Sequence, residues 1–150
     1  MSSVTAQERF DEMMKGLVAP ALRAHGFTGS GRSYRIPSQE WWALLGFQKS
    51  RYNDARAMQF TINVSVTPKK AWADARIGQE HWMPERPSPN TRYAAPWWGA
   101  RIGLLLPQRE DKWWILSPEI ESAKVAAEVV NAIRDVALPA MLERMKAQQT

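Results

Sequence analysis

Apolar residues near the N-terminus recur at three- and four-residue steps: Phe10, Met13, Met14, Leu17, Val18 and Leu22. That spacing puts them on one helical face, which has to be buried. Thr5 and Glu8 stand at capping-box spacing, and Gly26 followed by Phe27 suits a helix end whose last turn closes on a left-handed residue. The pattern predicts a helix over 5–25. Pro20 sets its ring against the carbonyl of Gly16, so a kink is expected between Gly16 and Pro20. A second stripe, Val125 or Ala126, Val129, Val130, Ile133, Val136 or Ala137, Met141 and Met145, predicts a helix over 118–146. Ser117 is its expected N-cap, with Pro118 at the first helical position. Pro139 interrupts it as Pro20 does the first, and the likeness of LVAPAL at 17–22 to VALPAM at 136–141 reads as shared composition, not a repeat.

Between the helices the period falls to two. Phe60, Ile62, Val64 and Val66 alternate with Gln59, Thr61, Asn63 and Ser65, the mark of a strand with two different faces. Further strands are predicted at 33–36 and 41–49. A hairpin is predicted from 101–106 and 113–116, so the strands fall within 32–66 and 100–116. Residues 67–96 hold five of the ten prolines together with Trp72, His81, Trp82 and Tyr93. They read as a long loop, with a short helix over 69–76, that folds back on the body. The expectation is one α+β domain over 1–150. It would have an antiparallel sheet of about five strands, both terminal helices on one face and a long Pro/Trp-rich loop.

The chain has 150 residues and no cysteine, which removes disulfides and thiol chemistry. No secretory signal is visible at the N-terminus and no apolar run approaches a membrane span, so a cytoplasmic protein without a membrane partner is expected. The net charge of +5 is concentrated centrally, where residues 21–109 hold 13 Lys and Arg against 5 Asp and Glu. Such a bias attracts phosphates, nucleic acid or an acidic protein surface, and it also serves solubility.

Motifs for chemistry are few. GFTGSGRS at 26–33 approaches a phosphate loop, but it follows a helix and enters a strand, and Arg32 stands where the lysine belongs. A glycine turn after a helix end fits better. His25 suits a helix C-terminus. His81 is the one candidate general base, with no nucleophile marked beside it. Glu80, His81 and Glu85 lack the spacing of a zinc helix. No catalytic residue, metal or cofactor is predicted.

The tryptophans are the distinctive feature. Three doublets, Trp41-Trp42, Trp97-Trp98 and Trp113-Trp114, account for six of the eight. Adjacent strand residues point to opposite faces, so one ring of each doublet lies away from the helix-side core. Trp41 is assigned to that core with Leu45 and Phe47. Trp42 then shares the other face with Gln48, Ser50, Asn63 and Ser65. That face is either covered by the 67–96 loop or a second subunit, or it is a binding surface.

The order and spacing of HGF at 25–27, FQKS at 47–50, FTINVSV at 60–66, RIGLL at 101–105, DKWWIL at 111–116 and ALPAML at 137–142 resemble the bacterial domain-of-unknown-function 4304 family. The resemblance implies a compact helix-sheet-helix domain and singles out Gln48, Ser50, Asn63 and Trp114. By analogy with small domains that accompany secreted toxins, it suggests an immunity or antitoxin-type role. The functional expectation is a non-enzymatic binding module for a protein partner. Trp42, Trp72, Trp82 and Trp98 are its candidate anchors, and Arg51, Arg56 and Arg101 its charged contacts. The alternative is a nucleic-acid-binding domain using the same basic, Trp-bearing face. A small-molecule enzyme using His81 ranks third. Monomer and homodimer both remain open.

Overall fold

The computed structural model describes residues 4–78, 83–91, 93 and 97–147. The chain runs α1 (Ala6–Met13), a π-helical turn (Met14–Val18), α2 (Ala19–Ala24), β1 (Thr28–Ser30), β2 (Ser33–Ile36), β3 (Trp41–Lys49), β4 (Met58–Pro68) and α3 (Lys69–Gly78). After the 83–93 segment come β5 (Trp98–Arg101), a 3-10 turn (Ile102–Leu104), β6 (Trp114–Leu116), α4 (Ser122–Ala132), a second π turn (Ile133–Ala137) and α5 (Leu138–Ala147).

Among the described residues, six antiparallel strands form one sheet in the order β1-β2-β3-β4-β5, with β6 also paired to β4. The fold is α+β, as the alternation of apolar periods predicts. The added strand, β1, comes from the glycine-rich stretch. Gly26, at φ 98, ends α2 while Phe27 N–H donates to Leu22 O at 3.0 Å, which closes the helix end. Gly31, at φ 59, then opens the tight turn between Ser30 and Ser33, where a side chain would strain the left-handed backbone.

The predicted hairpin of 101–106 with 113–116 does not form. Both segments pair instead with the long strand β4, β5 at Asn63–Val66 and β6 at Met58–Phe60. After Arg101 the backbone coils, Leu105 N–H donating to Ile102 O at 2.9 Å, and this carries Ile102 into the core. The last helix starts at Ser122 rather than Pro118, because Ile120 N–H donates to Ser117 O and folds 117–120 into a turn.

The expected kink is a π turn, and it occurs twice. Each five-residue π turn ends two residues before its proline, Pro20 or Pro139. Proline cannot donate to the preceding turn, and a widened turn moves the carbonyls away from its ring. The likeness of LVAPAL to VALPAM therefore reflects a shared local structure. The widening also corrects the predicted stripe: Leu17 is 44% exposed, while Val18 and Ala19 are buried. In the second helix the buried positions Val129, Ile133, Ala137 and Met141 step by four.

Both helical arms cover one face of the sheet. Their core centres on Phe60, whose ring lies 5.2 Å from Phe10, 6.0 Å from Phe47 and 5.7 Å from Trp114, stacked on the last. Trp41, Ala43, Leu45 and Phe47 join it from β3, and Ile62, Val64 and Val66 from β4. The alternate residues of β3 and β4 form the opposite face.

The β3–β4 turn is fixed by Asp54, whose Oδ1 accepts from Arg56 N–H and Ala57 N–H, both at 2.9 Å. These bonds, the Ala57 one foremost, hold its carboxyl below the usual carboxylate range. A lowered folded-state pKa adds stability above the unfolded value near about 3.9, and the gain is lost as pH falls through the folded pKa. The difference in thermal midpoint between wild type and Asp54→Ala is therefore expected to narrow as pH is lowered from about 6 to about 3. Paired melting curves across that range check it.

Candidate binding cleft

The open face is not bare. Trp72 of α3 is 1% exposed, and its indole N–H donates to Pro84 O and Glu85 O at 3.2 and 3.1 Å. Its ring meets Tyr93 edge-on at 4.8 Å and Trp97 at 5.3 Å. These rings form a second, smaller core outside the helix-side one, and Met83, one residue before Pro84, is buried as well. That core anchors residues 83–91 and 93 beside the sheet.

A tight turn then brings the segment onto the sheet itself. Thr91 N–H donates to Ser88 O at 3.2 Å, with Pro89 and Asn90 as central residues, an arrangement proline at the second turn position favours. The turn lands on Gly46: a Cβ there would sit 2.6 Å from Asn90 Oδ1 and 2.7 Å from Pro89 Cγ. Asn63, the register partner of Gly46, donates through Nδ2 to Gln48 Oε1 at 2.7 Å and to Asn90 Oδ1 at 2.8 Å. Three amides thus join β3, β4 and the turn in one junction.

Between this turn and β5 the face stays open as a cleft of about 470 Å³. Asn63, Ser65 and Thr67 of β4 line its floor, and residues 97–101 its far side. Ser65 Oγ is buried without a hydrogen-bond partner among the described residues. Gly99, opposite Ser65, leaves the middle free of a side chain. Among the described residues Arg101 is the single charged one in the lining, and its Nη1 is 2.7 Å from Asp111 Oδ2. Its guanidinium also lies 5.2 Å from the centre of the Trp113 ring, whose N–H donates to the same carboxylate at 2.9 Å.

The sequence candidates are distributed as follows. Gln48, Asn63 and Arg101 meet at one end of the cleft. Trp42 lies on the open face beyond it, with Lys69 Nζ at 4.5 Å and the Arg86 guanidinium at 5.5 Å from its ring centre. Those contacts explain the half-buried second indole of the first doublet. Ser50 belongs to the β3–β4 turn, its Oγ accepting from Tyr52 N–H, while Arg51 and Arg56 are exposed there and do not line the cleft.

Three tryptophans are placed differently from expectation. Trp72 is packed inside the second core. Trp98 is among the cleft-lining residues, but its ring packs against the helix-side core, 5.2 Å from the Arg144 guanidinium, because its register partner Val66 faces the helices. Trp114 is 4% exposed within the main core. In the second doublet it is therefore Trp97 that turns toward the cleft. His81 and Trp82 lie outside the described residues.

Sequence reasoning did not single out Asn90, Tyr93, Trp97 or Gly99 as site residues. The tetrapeptide Ser88-Pro89-Asn90-Thr91 carries a usable signal, since Pro-Asn is a turn pair that presents its asparagine at a tip.

Residues 18–143 match the family described as Domain of unknown function (DUF4304), and the chain belongs to that family. No curated protein and no solved structure matches it. Among the described residues no helix is long and apolar enough to cross a membrane.

Gly46→Ala is expected to lift the 87–91 turn from the sheet while the helix-side core stays intact, at a cost of about 1–3 kcal/mol. Limited proteolysis checks this: cleavage within 83–93 should accelerate strongly, with little change in the near-UV signal of the Phe60–Trp114 core.

Proposed function

We propose that this domain is a non-enzymatic binding module whose partner is another protein, docked in the cleft between the 87–93 segment and β5. The cleft carries this reading. It is the size of a recognition site, and its lining combines aromatic rings with fixed amide and hydroxyl groups. Among the described residues it contains no carboxylate, histidine or lysine. Such a lining can select by shape and hydrogen bonding; its groups are poorly suited to moving protons at neutral pH.

A phosphate backbone is a poorer fit. Among the described residues it would meet one cation, Arg101, already paired with Asp111. Lys69 and Arg86 are engaged on Trp42, and Arg51 and Arg56 stand in a separate turn. The specific form of the proposal is a bacterial, cytoplasmic immunity or antitoxin-type factor that neutralises a toxin by occupying one of its segments.

Ser65→Phe, which fills the floor beside Gly99, tests the site. The variant should keep the wild-type melting midpoint within a few degrees, yet recover at least tenfold less of any specific protein partner in quantitative pull-downs from the native cell. Equal recovery by a folded variant would remove the cleft from the interface. For the immunity form, co-expression with a toxin encoded beside the gene should protect the host only when the cleft is intact.

A further inference from the structure

Among the described residues no strand pairs with the outer edge of β5, and the orientation of that edge follows from the ladder behind it. At one end of the β3–β4 pair Ser50 N–H donates to Gln59 O at 2.9 Å; at the other Lys69 N–H donates to Glu40 O at 2.9 Å. Odd-numbered residues of β4 therefore turn their backbone groups toward β3, and even-numbered ones toward β5, because successive strand residues alternate sides. Val64 and Val66 are the even partners, opposite Ala100 and Trp98. Val64 O lies 3.5 Å from the position a Gly99 Cβ would occupy, consistent with its pointing toward β5. Ala100 and Trp98 thus spend their N–H and C=O groups on β4, whereas the N–H and C=O of Gly99 and the N–H of Arg101 face outward; the Arg101 C=O caps the 3-10 turn that follows.

Nothing among the described residues hydrogen-bonds to the outward groups of Gly99, and the residue is exposed. The opposite edge of the sheet is treated differently. There Arg23 Nη2 donates to Gly29 O at 3.0 Å, so a side chain obstructs the three-residue strand β1. Free edges of this kind are usually blunted, because they pair readily with another extended chain. This one borders the cleft, and the side chains that alternate along an incoming strand would reach Ser65 over a floor with no side chain at Gly99.

Resting on the binding-module reading, we infer that the partner enters as an extended peptide segment that adds to the sheet along β5, exchanging backbone hydrogen bonds with the N–H and C=O of Gly99 and accepting from the N–H of Arg101. The alternate side chains of that segment lie in the cleft between the amide junction of Gln48, Asn63 and Asn90 and the rings of Tyr93 and Trp97. Backbone pairing supplies affinity and the cleft supplies selection, as in other cases of strand addition.

The test uses random linear peptides displayed on phage and selected on the full chain, then resynthesised with and without N-methylation at alternate backbone positions. Selected peptides should lose at least tenfold in affinity when one alternate set of amides is methylated and little when the other is. Gly99→Pro should cause a similar loss, since it removes an outward N–H and spares the β4 ladder. If that variant fails to fold, the methylation series alone decides. Peptides insensitive to methylation in either set, yet displaced by Ser65→Phe, would overturn strand addition and leave the cleft reading standing. Failure to select any peptide would overturn the inference as well. So would a concentration-dependent dimer of the chain alone that Gly99→Pro abolishes, since the edge would then serve self-association.

Discussion

Asn63 donates both hydrogens of one amide group, one to Gln48 on the neighbouring strand and one to Asn90 on the covering turn, and the cleft depends on that junction. Asn63 is 7% exposed, so an unpaired amide at this point would carry a desolvation penalty of about 1–3 kcal/mol. The penalty ties three segments distant in sequence to one arrangement. The contact is possible because Gly46, beside it in register, offers no Cβ to hold Pro89 and Asn90 away. One wall of the cleft thus rests on a hydrogen-bond network over a missing side chain, while the rest of the domain rests on apolar packing.

The two sides of the sheet follow different rules. On the helix side, aromatic rings and aliphatic residues from both helical arms fill the space around Phe60. Each arm reaches along that core through a π turn set before its proline, which lets buried positions fall four apart. On the other side the burial is local: Trp72 packs with Tyr93 and Trp97, and the sheet beside it is left partly uncovered. This division gives a packed scaffold on one face and a partly open cleft on the other.

Much of the scaffold was legible in the sequence because it is periodic. The alternation through Phe60–Val66 assigned β4 its faces, and the Gly26-Phe27 end of the first helix was readable from local chemistry. The split of Trp41 and Trp42 followed from strand geometry alone. The cleft was only half legible. Gln48, Asn63 and Ser65 lie on a strand face and could be grouped by period, but Asn90 and Tyr93 come from a segment without period, whose position depends on contacts with Gly46, Asn63 and Trp72, the Asn63 one 27 residues away in sequence. The second and third tryptophan doublets needed the register with β4. Val66 opposite Trp98 and Phe60 opposite Trp114 decide which ring joins the core, and no spacing within the doublet carries that information.

The most direct measurement is hydrogen exchange at the side-chain amide of Asn63, read by NMR on the intact chain. If the 87–91 turn is held on the sheet as described, both Nδ2 hydrogens exchange far more slowly than those of an exposed asparagine, and both show close contacts to Asn90. Exchange of either hydrogen at the rate of a free amide, with no contact to Asn90, would contradict the account, because the cleft would then lack its wall.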